Sequence, residues 1–181
     1  SFPTRRSADL SAIKAKPKNA EAITLLGSIA LSKGDAASAE EDFKRAISEQ
    51  AQSPVGYSAL ADLYLQQRKP DQAIEIIRSG LKELPKNFSL RLSLAGLMEY
   101  KKDFDAAIAE YDSMLKDSPG SLIVINNLAS LLTDHKTDKD SLQRAHNLAV
   151  ALKSSQVPQF QDTLGWVEYQ SGNYAAALAS L

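Results

Sequence analysis

Residues 20 to 53, AEAITLLGSIALSKGDAASAEEDFKRAISEQAQS, form a unit whose apolar and small positions return every 34 residues along the chain. Leu26, Leu60, Leu94 and Leu128 keep that step, and so do the small residues that follow them, Gly27, Ala61, Ala95 and Ala129. Ala39, Ala73 and Ala107 keep it as well. Each period holds two segments of helical periodicity and one turn, which predicts a stack of helical hairpins rather than a single central core. A small residue beside each leucine lets the two helices of a hairpin approach closely, while Phe43, Ile77 and Tyr111 are placed to fill the gap toward the next helix. One hairpin cannot bury its apolar face alone, so stability is expected as a sum of repeat and neighbour contributions.

At residue level the pattern resembles the tetratricopeptide repeat (TPR). The motif residues read Leu26, Gly27, Ala39, Phe43 and Ala46 in one repeat, then Leu60, Ala61, Tyr64, Ala73, Ile77, Gly80 and Pro85, then Leu94, Ala95, Ala107, Tyr111 and Pro119. The resemblance extends over about residues 8–181 and implies an all-α fold, a right-handed α-solenoid of helix-turn-helix repeats. Residues 1–7, SFPTRRS, fit no repeat position and read as a non-native or disordered terminus. A partial repeat is expected over 8–19, then repeats over 20–53, 54–87, 88–121 and 122–157, and a truncated one over 158–181. The register slips in the fourth repeat, because Leu164-Gly165 arrives two residues late, and the polar stretch His135 to Asp140 is the expected place of the insertion.

Charge and residue content narrow the function. Lys and Arg number 21 against 22 Asp and Glu, a net charge of −1, which argues against nucleic acid as a partner. There is no cysteine, hence no disulfide, thiolate metal site or cysteine nucleophile, and the redox compartment is not legible. No apolar run approaches the roughly 20 residues of a membrane-spanning helix. The two histidines, His135 and His146, are not in a metal-ligand spacing, and the acidic cluster Asp134, Asp138 and Asp140 lacks the glycine and terminal glutamate of a calcium loop. No phosphate-binding or nucleophile-elbow string is present. The expectation is a non-enzymatic chain with no metal and no cofactor. Its compartment stays open between the periplasm, a membrane anchored through a missing N-terminus, and the cytoplasm.

The TPR resemblance further implies that the first helix of each repeat lines a concave groove that binds a peptide or partner helix. Transferred by register, the groove residues are Glu21, Asp62, Leu65, Leu92, Glu99, Tyr100, Asn126, Asp162, Trp166 and Tyr169. Wall positions carry the carboxylates of Glu21, Asp62, Glu99, Asp134 and Asp162 and neither Lys nor Arg. Family members that clamp a chaperone's C-terminal carboxylate use Lys and Asn there, where this chain has Thr24, Ser28, Ser58 and Asp62. The expected partner is therefore a protein or peptide with basic and apolar side chains. Trp166 has two readings, a groove anchor or a side chain packed on the fourth repeat, and Tyr100 and Tyr169 raise the same question. Asn126-Asn127-Leu128-Ala129 and Asp162-Thr163-Leu164-Gly165-Trp166 look like the closing repeats of bacterial TPR proteins, including lipoproteins of exopolysaccharide and protein-sorting systems. The rival reading is a substrate-recruitment arm of a larger enzyme such as a glycosyltransferase.

Overall fold

The computed structural model describes residues 19–136 and 138–180, so the expectations for residues 1–7 and 8–18 lie outside the described residues. Those residues form ten α-helices and one short 3-10 turn, with no strand among them. Contacts divide the chain into two compact units, one up to Leu97 and one from Met98 onward. The first contains α1 (Ala20–Ser32), α2 (Ala36–Glu49), α3 (Pro54–Gln66), α4 (Pro70–Glu83) and most of α5 (Phe88–Tyr100). The second holds the end of α5, then α6 (Phe104–Asp117), α7 (Leu122–His135), α8 (Lys139–Ala149) with the 3-10 turn Val150–Leu152, α9 (Pro158–Gln170) and α10 (Tyr174–Ser180).

The helices begin where the sequence supplies a cap. Asn19, Asp35, Asn87, Asp103 and Asp138 each accept a backbone N–H three residues on, which satisfies a donor that has no partner inside the helix. At α3, α4 and α9, which have no side-chain cap, a proline opens the helix at a position whose N–H would be unbonded in any case, whereas α7 starts after Ser121 with neither device.

The inner turns share one geometry. The N–H of Asp35, Lys69, Asp103 and Asn173 each reaches back to a carbonyl five residues earlier, and the preceding residue takes a left-handed conformation. Gly34 and Gly172 hold that position with φ of 84° and 81°, but Arg68 and Lys102 hold it with φ of 59° and 62°. The fourth repeat departs from this pattern: α7 runs on to His135, and Lys136 closes it by bonding back to Leu132.

In the first unit α1 packs on α2 and α3, α2 on α3, and α3 on α4. Gly27 is the closest approach of α1 to α2, because a Cβ there would lie 2.5 Å from the Phe43 ring. The ring is 2% exposed, and removing such a side chain from water contributes about 1.5–3 kcal/mol. Ala20, Ile23 and Ala46 form a cluster against which Val55 of α3 packs, and Gly80 lies against Tyr57 and Leu90. In the second unit α9 packs on both α7 and α8, with Leu128, Ala129, Ala145, Ala149 and Leu152 fully buried. Gln161 donates to the carbonyls of Leu152 at 3.0 Å and Ser155 at 2.7 Å, which ties the long connection before α9 to that helix.

Candidate functional site

The residues assigned to the groove wall stand on the first helix of each hairpin. In the first unit Glu21 on α1 and Asp62 on α3 are exposed, while Leu65 of α3 and Leu92 of α5 are half-buried. Asp62 is crowded enough by protein atoms that desolvation holds its carboxyl above the ordinary value of 3.8. Tyr64, on the other face of α3, is buried and donates to Glu40 of α2 at 2.9 Å.

In the second unit the assigned residues divide into two groups. Glu99 is half-buried and accepts the Tyr111 hydroxyl at 2.5 Å. Asn127 donates to the same hydroxyl oxygen at 3.3 Å, and Asn126 donates to Asn127 at 3.2 Å, so a chain of hydrogen bonds links Asn126 to Glu99 through the hydroxyl of the buried Tyr111. Burial, then Glu99, push the Tyr111 phenol far above its usual range. One of the wall carboxylates is thus already engaged inside the protein, a feature hidden from the sequence because the positions of Glu99 and Tyr111 were assigned to different faces. Tyr100, next to Glu99, is exposed.

Asp162, Trp166 and Tyr169 come together on α9. With Gly165 and with Tyr174, Ala177 and Leu178 of α10 they line a groove of about 560 Å³. The Trp166 and Tyr169 rings stack with centroids 5.7 Å apart, and Tyr174 meets Tyr169 edge-on at 5.5 Å. The Trp166 ring is 42% exposed on this groove, while its indole N–H donates to Asp134 of α7 at 2.8 Å. Tyr174 and Leu178 belong to this surface although they are not on the first helix of a hairpin. Their signal in the sequence is register, since Tyr174 stands where Phe104 stands two repeats earlier.

Ion pairs lie elsewhere, Lys136 on Asp105 at 2.6 Å and Arg144 on Asp112, both joining α6 to the segments that follow it. Among the described residues no group of three His, Asp or Glu side chains is placed to hold a metal ion, and no helix is long and apolar enough to cross a membrane.

The tetratricopeptide-repeat family profile matches residues 30–98. A TPR repeat-containing protein of Pseudomonas aeruginosa is 24% identical over 111 residues, which make up 59% of this chain and 18% of that relative, so the chain spans under a fifth of the relative's length. Among solved structures, PilW, a type IV pilus biogenesis factor, superposes with a TM-score of 0.73 at 18% identity, over 97% of this chain and 80% of PilW. YrrB, a TPR protein with an unusual peptide-binding site, superposes with a TM-score of 0.65 at 13% identity, over 96% of this chain and 88% of YrrB. These likenesses join the in-register motif residues and the capped hairpins in one conclusion: residues 30–98 match the tetratricopeptide-repeat family, and the chain shares the fold of tetratricopeptide-repeat proteins.

Proposed function

We propose that this chain is a non-catalytic scaffold that holds a peptide or partner helix bearing basic and apolar side chains on the first-helix faces of its hairpins. TPR hairpins support protein interaction in general, and YrrB, which shares the fold, has a peptide-binding site. The observation that carries the finer reading is the pairing of acid with exposed aromatic surface on one wall: Asp162 beside Trp166 and Tyr169, in a groove with no lysine or arginine lining it. Such a surface attracts cations by charge and takes their stems and apolar neighbours on its rings. A role in bacterial envelope or exopolysaccharide assembly is a narrower reading. It draws on the closing-repeat strings around Leu128 and Leu164 and on the fold shared with a pilus biogenesis factor.

The test is a titration with basic and acidic peptides of matched hydrophobicity at two salt concentrations. The basic peptide should bind more tightly, with the difference shrinking as salt rises, and Glu21→Lys with Asp62→Lys should narrow it. Equal affinities for the two peptides would overturn the electrostatic part of the proposal.

A further inference from the structure

We infer that the groove between α9 and α10 is a docking site for an amphipathic partner helix, one that presents an apolar stripe to Tyr174 and Leu178 and a lysine or arginine to Asp162. The inference rests on the scaffold reading and deepens it by naming one site and one class of partner.

The same unit contains a template for the occupant. Phe104, the first residue of α6, lies under the ring of His135 at the end of α7, with centroids 3.7 Å apart and planes 9° apart. Lys136, just past that helix, pairs with Asp105, and Asn127 in its middle bonds to Tyr111. A helix of α7's type therefore covers the surface that Phe104 and Ile108 open, and it leaves both of them at most partly exposed. Tyr174 and Leu178 occupy the corresponding places on α10, and they are 62% and 78% exposed. The floor between the helices is Gly165 and Ala177, both buried and small, which admits a close helix approach. An apolar patch with three aromatic rings in series and this degree of exposure marks an interaction surface.

Charge selects among helices. Asp162 is exposed on the rim, and Asp134 adds a second carboxylate where it accepts the Trp166 indole N–H. No cation lines the groove. A lysine or arginine beside Asp162 would also rest on the Trp166 ring, and attraction to the ring face adds to the ion pair. An acidic helix would meet repulsion in the same place.

Trp166 is the sole tryptophan, so its fluorescence reports on this groove alone. The probes are two acetylated and amidated peptides with the α7 sequence of residues 122–135, one carrying Asn126→Lys and Asn127→Lys and the other Asn126→Glu and Asn127→Glu. The lysine peptide should shift Trp166 emission saturably and bind about tenfold or more tightly than the glutamate peptide, and Asp162→Lys should erase that preference. Leu178→Glu, at a site exposed enough to spare folding, should abolish binding of both. The inference is overturned if neither peptide shifts the emission, or if the two bind alike. Sedimentation showing a dimer that Leu178→Glu dissociates would assign the groove to a second copy instead. Emission already shifted in a longer parent polypeptide, and insensitive to peptide, would assign it to a further segment of the same protein. Peptide binding that leaves Trp166 silent but responds to Glu21→Lys and Asp62→Lys would remove this site and keep the scaffold.

Discussion

The Tyr111 hydroxyl donates to Glu99 at 2.5 Å and ties α6 to the last turn of α5. Tyr111 is 1% exposed, so its phenol can be satisfied only by protein groups, and Glu99 and Asn127 supply them. Tyr111→Phe should lower the stability measured by urea denaturation by about 1.5–3 kcal/mol, the range for a hydrogen bond to a charged group. Glu99→Gln keeps an acceptor in place and should cost less. Equal losses for the two variants would mean that the carboxylate, not the hydroxyl, is the essential partner.

Two glycines at opposite extremes of crowding should respond in opposite directions. A Cβ on Gly27 would stand 2.5 and 2.8 Å from Phe43 ring atoms and 3.1 Å from the Ala39 carbonyl oxygen, so Gly27→Ala should destabilise by about 1–3 kcal/mol. Phe43→Leu in the same chain should recover part of that loss by making room. Gly96, inside α5, has no atom within 4 Å of the added methyl, and Gly96→Ala should stabilise by about 0.5–1 kcal/mol through backbone entropy. Thermal denaturation of the variants decides both signs.

The inner turns offer a second paired test. Lys102 sits at φ 62°, where a side chain costs roughly 1–2 kcal/mol, and glycine returns part of that gain through its looser unfolded state. Lys102→Gly should therefore raise stability by about 0.5–1 kcal/mol, whereas Gly34→Ala at φ 84° should lower it. A destabilising Lys102→Gly would show that the lysine side chain contributes more than its backbone costs.

Asp62 predicts a pH dependence with a definite sign. Desolvation raises its pKa, so the folded chain holds that proton more tightly than the unfolded chain, and the ionised carboxylate disfavours folding. The penalty is absent below the ordinary value of 3.8 and develops as pH rises through the folded value. Asp62→Asn should accordingly raise the urea midpoint at neutral pH relative to the parent, and the difference should vanish below pH 3.8. A difference that is constant across the range would assign the effect to packing.

Local sequence determined a great deal of this protein, because in a repeat each stretch meets nearly the same neighbours as the one before. The leucine and small-residue step at Leu26-Gly27, Leu60-Ala61, Leu94-Ala95 and Leu128-Ala129 identifies the hairpin helices, and Asp35, Asp103 and the prolines at Pro54, Pro70 and Pro158 show where helices start. The burial of Phe43, Ile77 and Tyr111 was legible for the same reason. Tertiary structure decided what depends on distances between helices. Glu99 looked like a free wall carboxylate until the approach of α6 gave it the Tyr111 hydroxyl, and Trp166 looked like either anchor or core until α7 brought Asp134 to its indole N–H while leaving the ring in the groove. Arg68 and Lys102 carry no local sign of left-handed backbone; the turn imposes it where the N–H of the next residue reaches back to a carbonyl five residues earlier. Tyr174 and Leu178 joined the candidate site for a similar reason: periodicity tells which face of α10 is apolar, and only packing tells whether that face is covered.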